Sequence, residues 1–326
     1  METSVGIDVG KHTLDVAVSG QRHLLRFANT PTGWGELIAV LASLGQPCIV
    51  LEATNRYHEG VTAALAEVGQ SVTVANPLHT AAFRRSEASL AKTDALDARM
   101  LQRFAAQKRP APSPRPDPTQ RQVRDLVRTR EDLVSLRTRL TLQAGDLPPS
   151  STPHYAAILA PLAHQITQLD REIATIIAHS PDLARLDAIL QSLPGLGPIS
   201  SVSLLGNLPE LGHLGRRQIA SLGGLAPRNQ ESGRTVHRPT VWGGRREVRR
   251  CLYLVASGAI QRRQGSHPAQ GAEGSRARYA ALRTRGKPPR LALIALARWL
   301  RTILNAMVRD GVRWAETRAA QGGRAA

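Results

Sequence analysis

Two short apolar runs each stop on a carboxylate, and this pattern narrows the fold more than any other in the chain. The first is Ser4-Val5-Gly6-Ile7-Asp8 and the second is Pro47-Cys48-Ile49-Val50-Leu51-Glu52. Both are rich in β-branched residues and are expected as buried strands. A buried strand that ends on an acid sets that acid at the carboxyl edge of its sheet, where open α/β sheets take their ligands. Asp8 and Glu52 are therefore candidate site residues.

A second pair of acids follows in Lys92-Thr93-Asp94-Ala95-Leu96-Asp97-Ala98-Arg99, at the start of an amphipathic stretch expected as helix over residues 94–107. Asp94 and Asp97 are three apart and share a helix face. Alone, such a pair is ordinarily a solvated face. Joined to Asp8 and Glu52 it makes four carboxylates, and four acids at one sheet edge cannot all stay ionised without cations. Two Mg²⁺ or Mn²⁺ ions, which prefer oxygen ligands, resolve that charge. Paired ions of this kind clamp the attacking and leaving oxygens of a phosphoryl transfer.

The balance of charge points to the same substrate class. Lys and Arg number 43 against 25 Asp and Glu, a net charge of +18, which implies a nucleic-acid partner. Most of that charge is Arg, suited to two-pronged phosphate contacts. Aromatic residues make up only 3%, so stacking on bases is not expected as the main binding mode. The two cysteines, Cys48 and Cys251, lie inside apolar runs without metal-ligand or redox spacing, as expected of a reduced compartment. There is no signal-peptide pattern and no apolar run close to the roughly 18 residues of a membrane span. The expectation is a reduced, intracellular (cytoplasmic) setting with no membrane partner.

Residues 1–108 carry strand signals at 4–8, 13–19 and 23–28, a helix at 33–44 capped by Thr30, a strand at 48–52, a helix at 57–68 and a strand at 71–75. The acid-bearing helix follows. Three hairpin-like strands and then alternating helix and strand is the order of a ribonuclease-H-like α/β domain. Residues 109–118, RPAPSPRPDP, cannot be helix or central strand and are expected as a semi-rigid linker.

Residues 119–180 hold two long helices around a breaker at 145–153. Leu126, Thr129, Leu133, Leu136 and Leu140 on the first, and Leu159, Leu162, Ile166, Leu169, Ile173 and Ile176 on the second, keep heptad steps. Two outcomes remain open: a coiled-coil seam that joins two copies, or a helical hairpin packed on its own domain. Residues 181–312 are expected as a mostly helical domain. Leu193-Pro194-Gly195-Leu196-Gly197-Pro198 resembles a helix-hairpin-helix turn, with Gly195 and Gly197 aiming backbone N–H groups at a phosphate. The stretch 221–244 reads as ordered loop or short hairpins. The next helix, at 245–258, clusters Arg245, Arg246, Arg249 and Arg250. Residues 261–275 read as polar loop, 289–308 as amphipathic helix, and 313–326 as a disordered tail. Replacing Arg245, Arg249 and Arg250 together is expected to weaken binding to all sequences alike, because phosphate contacts position rather than specify.

Several segments together resemble transposases of the insertion-sequence-110 family, the DEDD or Piv-like recombinases. They are GIDVGKHTLDVAV near the start, LEAT at 51–54, the run from Asn76 to Leu101 ending KTDALDARML, then LPGLG, GLAPRNQESG from Gly224 and GGRREVRRCLYL from Gly243. The resemblance spans nearly the whole chain. It implies a RuvC-like N-terminal domain whose tetrad is Asp8, Glu52, Asp94 and Asp97, holding Mg²⁺ (or Mn²⁺), and a helical C-terminal transposase domain. It further implies a DNA recombinase that excises and inserts a mobile element, with double-stranded DNA, a structured guide RNA and further copies of itself, as dimer or tetramer, for partners. Lys92, Arg99 and Arg228 lie within these motifs and are expected to join the phosphate contacts.

The family also implies a C-terminal serine that attacks DNA and forms a covalent intermediate. Here the corresponding place reads Pro239-Thr240-Val241-Trp242-Gly243-Gly244, with Val241 or Trp242 at the serine position. Thr240 is the nearest hydroxyl and the candidate nucleophile, with Ser232 the nearest serine upstream. The alternatives are a RuvC-like nuclease that uses water, or an inactive DNA-binding derivative. A sugar-kinase or actin-like ATPase, suggested by Asp8-Val9-Gly10, lacks a second Gly-rich nucleotide loop.

Overall fold

A computed structural model describes residues 3–54, 56–87, 94–113, 117–148, 150–228, 231–232, 235–236, 240–241, 243–261 and 272–314; for Asp94, Ala95 and the described residues of 227–240 it describes the backbone alone. The chain forms two compact units, Met1–Arg115 and Pro116–Ala326.

The first unit is a five-stranded mixed sheet. The β-branched runs form β1 (Ser4–Val9), β2 (Thr13–Val18), β3 (Leu25–Ala28), β4 (Cys48–Glu52) and β5 (Val72–Ala75). Their order is β3-β2-β1-β4-β5. The first three strands pair antiparallel, and β1, β4 and β5 pair parallel. Alternation sorts the two faces. Val5, Ile7, Val9, Leu14, Val16, Ile49 and Leu51 pack with Leu37 and Leu41 of α1 (Pro31–Ala42) and with Val61 and Leu65 of α2 (Tyr57–Glu67). Thr30 caps α1 as expected. On the other face, Val50 and Ala75 meet Phe83 of α3 (Pro77–Ser86) and Met100, Leu101 and Phe104 of α4 (Asp94–Lys108).

The closest approach in this unit is α4 on β1 at Gly6. A Cβ there would stand 2.1 Å from the backbone nitrogen of Gln102 and 2.3 Å from the carbonyl oxygen of Ala98. Two residues back, the Gln102 side chain donates to the Ser4 hydroxyl at 2.7 Å. The helix backbone at Ala98 and Gln102 therefore lies on Gly6, and the Gln102 side chain reaches back to Ser4, so the helix runs antiparallel to the strand and its first turn, beginning at Asp94, lies on the Asp8 side of Gly6.

The proline-rich stretch does more than space the units. Ser113 N–H donates to Val72 O and its hydroxyl accepts from Val74 N–H, both at 2.9 Å, and the Thr73 hydroxyl reaches Ala111 O at 3.0 Å. These bonds satisfy the outer side of β5, which would otherwise be an open edge.

The second unit is mostly helical. α5 (Pro118–Gly145), capped by Asp117, and α6 (Thr152–His179) are joined by six residues and fold back on each other, with Arg130 paired to Asp170. Leu162, Ile166 and Ile173 of the heptad stripe are buried within this one chain. Val123, Val127, Ile173 and Ile177 at the base of the hairpin belong to the same core as the helices that follow, so the hairpin is rooted in its own unit, while Leu133, Leu136, Leu140, Leu159, Leu169 and Ile176 along the stripe stay half-buried. The remaining helices are α7 (Pro181–Gln191), α8 (Pro198–Asn207), α9 (Arg216–Leu222), α10 (Arg246–Ile260), α11 (Glu273–Thr284) and α12 (Pro289–Asp310). Between α9 and α10 lie four two-residue strands: β6 (Pro227–Arg228) pairs β9 (Thr240–Val241), and β7 (Glu231–Ser232) pairs β8 (Thr235–Val236).

Helix α11 was not expected, because its interior is arginine-rich and lacks an apolar stripe. Helix α12 corrects another expectation: its 22 residues, with a mean hydropathy of 1.5 over the most apolar window, are long and apolar enough to cross a membrane. Its Leu296, Leu300 and Leu304 are fully buried in the core of this unit.

One half-buried acid in this unit gives a direct test. Glu131 on α5 accepts hydrogen bonds from Ser203 Oγ at 2.8 Å and Asn207 Nδ2 at 3.3 Å. Burial, aided by Glu247, still raises its pKa above the ordinary 4.5, against the pull of those bonds and of Arg250. The folded state then holds this proton more tightly than the unfolded chain. Its contribution is fully present below the unfolded value and declines as pH rises through the folded value. Glu131→Gln keeps the acceptor oxygen and removes the charge. Thermal melts should show the variant more stable than wild type at pH 7.5, with the gap closing toward pH 4; a variant less stable at pH 7.5 would contradict this account.

Candidate catalytic site and nucleic-acid surface

Strands β1 and β4 are in parallel register, with Ile7 opposite Leu51. The next residue on each strand is an acid, so Asp8, one residue before the end of β1, and Glu52, the last of β4, stand side by side on the same face of the sheet, about 4.8 Å apart along the hydrogen-bonding direction. This is also the face that α4 covers. The antiparallel register adds an acid that the sequence did not single out. Asp15 on β2 lies directly across from Asp8, and Arg26 on β3 directly across from Asp15. Asp15 is 4% exposed and accepts from Arg26 Nε at 2.8 Å. Three carboxylates therefore cross the sheet in one row, and the outermost is neutralised by an arginine. Facing like charges destabilise a sheet unless countered.

On α4, Asp97 is buried. The guanidinium of Arg84 on α3 lies 2.8 Å from its Oδ1, at an angle that makes an ion pair but no hydrogen bond, and this buried oxygen has no hydrogen-bond partner. Asp94 begins the same helix; its side chain lies outside the described residues. On the same α3, the buried hydroxyl of Thr80 donates to Glu52 Oε2 at 2.8 Å. Arg103 of α4 grips Glu87, at the end of α3, through two bonds of 2.8 Å, and holds that carboxyl below its usual range.

Thr80 and Arg84 were missed because no helix was expected between β5 and α4. The signal was present: Asn76 accepts from Leu78 N–H as the cap, and Pro77 takes the first helical position.

Among the described residues, no three His, Cys, Asp or Glu side chains are grouped to hold a metal ion. The donor set nonetheless suits a hard divalent cation. Asp8, Glu52 and Asp97 offer oxygen alone, and Asp97 Oδ1 is buried without a hydrogen bond, with only the Arg84 cation against it.

The expected nucleic-acid contacts divide. Arg245 makes two bonds to Glu210, at 2.6 and 2.7 Å, and one to Asn207 O at 2.9 Å. Arg249 Nη1 donates to Gly243 O at 2.7 Å and Gly224 O at 3.3 Å. These two arginines hold the base of the 224–244 loop, so the triple replacement of Arg245, Arg249 and Arg250 would disturb folding as well as binding. Arg246 and Arg250 are exposed. Arg99 is exposed and bonds the carbonyl of Arg22. Gly195 has φ +93°, and a Cβ there would stand 2.9 Å from Ala259 Cβ; close packing on α10 accounts for this glycine without a phosphate. Gly197 begins α8 in open space. Lys92 and the side chains of Arg228, Ser232 and Thr240 lie outside the described residues.

A better-aimed test of the basic surface is Arg246→Gln with Arg250→Gln. For each exposed phosphate ligand removed, the slope of log affinity against log salt should fall by about 0.9, with duplex sequences affected alike. An unchanged slope in fluorescence-anisotropy titrations would remove this surface from the interface.

The backbone carrying Thr240 is well tied. Thr240 lies opposite Arg228 and Val241 opposite Pro227. Arg245 N–H donates to Leu222 O at 2.8 Å. Gly244, at φ +63°, passes so near that a Cβ would stand 2.4 Å from Gly224 N. Only glycine permits both that conformation and that approach.

Residues 5–147 match the DEDD-type IS110 family model, described as "Transposase", and residues 187–271 match one described as "Transposase IS116/IS110/IS902 family". Over 325 residues the chain is 26% identical to the "Pilin gene-inverting protein" of Moraxella bovis, covering 95% of this chain and 96% of that protein. It is 32% identical over 166 residues to the "Insertion element IS110 uncharacterized 43.6 kDa protein" of Streptomyces coelicolor, covering 49% of this chain and 36% of the relative.

Proposed function

We propose, from the premise that this chain belongs to the IS110 family of transposases, that it cuts and rejoins DNA strands at a carboxylate site built from Asp8, Glu52, Asp94 and Asp97. The observation that carries the reading is the register of β1 and β4, which sets the acids Asp8 and Glu52 side by side on the sheet face that α4 covers. The strand order, three antiparallel and then two parallel, supports a ribonuclease-H-like, RuvC-type unit.

The four acids would hold Mg²⁺ or Mn²⁺, which when bound lowers the pKa of an attacking oxygen and offsets charge building on the leaving one. The chain's own residues do the rest. Thr80 fixes the rotamer of Glu52. Arg84 pairs with Asp97 and offsets its charge. Thr240 is the proposed nucleophile: its hydroxyl oxygen bonds to phosphorus, one bridging P–O bond breaks, and DNA is left joined to protein, conserving the phosphodiester energy for rejoining. The substrate is double-stranded DNA in the cytoplasm, and a structured guide RNA and a second copy of the chain are proposed partners. The Leu159–Ile176 stripe, still half-buried at Leu159, Leu169 and Ile176, is the proposed interface between copies.

The test is to incubate wild type and Thr240→Val with element-end DNA, candidate guide RNA and Mg²⁺, denature, and look for protein-linked DNA. The expected result is trapping by wild type alone. Equal trapping by the variant removes Thr240 from this role. Cutting without any trapping would make water the attacker and the protein a nuclease.

A further inference from the structure

The strongest unexplained charge in the molecule is Arg301, inside the second unit. Its residue is 3% exposed, and its Nε and Nη1 are buried without a hydrogen-bond partner. Only Nη2 is engaged, with the Thr302 hydroxyl at 3.2 Å. Its neighbours add positive charge. Arg298 is one turn earlier on α12 and half-buried, while Arg216 opens α9 and is exposed. Among the described residues none of the three has an acidic partner. Burial, then Arg298, then Arg216 push the pKa of Arg301 down to about 10, which leaves it charged at neutral pH. A buried cation without a counter-ion among the described residues works against folding, and such an arrangement is a candidate anion-binding site.

Its location points the same way. Arg301 Cδ lies 3.8 Å from the position of a Cβ on Gly223, at the turn where α9 ends. That turn is also where the loop carrying Thr240 leaves and returns, through Leu222, Gly224, Gly243 and Gly244. We propose that Arg216, Arg298 and Arg301 form an anion site that takes a backbone phosphate of the DNA strand presented to the 224–244 loop. Arginine matches phosphate with paired N–H donors, and the three side chains lead from exposed through half-buried to buried, a graded route for one phosphate oxygen to reach the unpaired N–H groups. None of these arginines lies in the basic cluster at the start of α10. The proposal rests on the DNA-acting reading above but not on its chemistry: a protein that failed to trap or cut DNA and still bound duplex through Arg301 would sink the recombinase and leave this site standing.

The experiment uses the full chain and three proteins: wild type, Arg301→Met and Arg216→Gln. Arg301→Met removes the buried charge and keeps most of the volume. Without ligand it should melt higher than wild type, whereas loss of a merely structural arginine would lower the melting temperature. Wild type should gain melting temperature in inorganic phosphate over chloride at matched ionic strength, and Arg301→Met should lose that gain. Both variants should bind duplex DNA more weakly, each with a log–log salt slope shallower by about 0.9. Arg216→Gln, at the exposed mouth, reports even if the buried variant folds poorly. Unchanged duplex affinity and slope in both variants overturns the proposal. Loss of the phosphate effect with duplex binding intact would make this a free-phosphate site, and loss of RNA binding alone an RNA contact; either result also overturns the assignment to DNA.

Discussion

Glu52→Gln and Asp8→Asn should each reduce strand cleavage by roughly a hundredfold to a thousandfold or more, the scale seen when a single preorganised charge-stabilising group is removed. Duplex affinity should stay nearly unchanged. Both substitutions are near-isosteric, and both positions lie at strand ends rather than within the core. Glu52→Gln still accepts from Thr80 through its amide oxygen, so the sheet edge keeps its shape while the charge is lost. Asp15→Asn is the matched control from the same row of the sheet. It weakens the pairing with Arg26 and should lower the melting temperature, without the selective collapse of cleavage. Single-turnover cleavage at saturating DNA separates these outcomes. A Glu52→Gln protein that cleaves at the wild-type rate would take Glu52 out of the site.

The second large effect is expected at Gly6. Its missing Cβ is what lets α4 lie on β1, and the atoms a methyl group would strike, Gln102 N, Ala98 O and Leu101 C at 2.1 to 2.7 Å, are all backbone. A side chain could rotate away, but a helix backbone cannot. Gly6→Ala must therefore lift α4 from the sheet, and overpacking of this kind costs typically 1–3 kcal/mol, occasionally more; the upper end, about 3 kcal/mol, is expected here. For a unit of this size that corresponds to a fall of roughly 12 °C or more in its melting temperature. Cleavage should fall with it, because the same helix carries Asp94 and Asp97. A variant that melts within a degree or two of wild type would show that α4 sits elsewhere.

How far the sequence carried depended on whether each signal was local. Asp8 and Glu52 were legible because a β-branched run that stops on an acid announces both its strand and its edge. The facing acid on β2 was not, since Asp15 interrupts TLDVAV like any alternating polar residue and its partner Arg26 is fixed only by strand register. The helix between β5 and α4 was hidden by a weak apolar stripe, although its Asn-Pro start was readable. Arg245 looked like a phosphate ligand because Glu210, which holds it, is 35 residues away. The heptad stripe on α6 looks the same in sequence whether it closes on its own chain or on a second copy, and within one chain it is only partly covered, with Leu159, Leu169 and Ile176 half-buried.

The match between α4 and β1 is that of a gear, with the Ala98 and Gln102 backbone on Gly6 and the Gln102 side chain on Ser4 as the engaged teeth. A gear cannot lose one tooth. Deleting a single residue between Asp94 and Ala98 would turn the start of the helix by about 100° and carry its acid off the sheet face, and no side-chain change could restore the phase. Point substitutions along this helix and single-residue deletions within it are thus different kinds of event for the family: the first adjusts the contact, the second disengages it. Length variation should accordingly collect in the connectors, such as residues 146–151, and be absent from the stretch between Asp94 and Gln102.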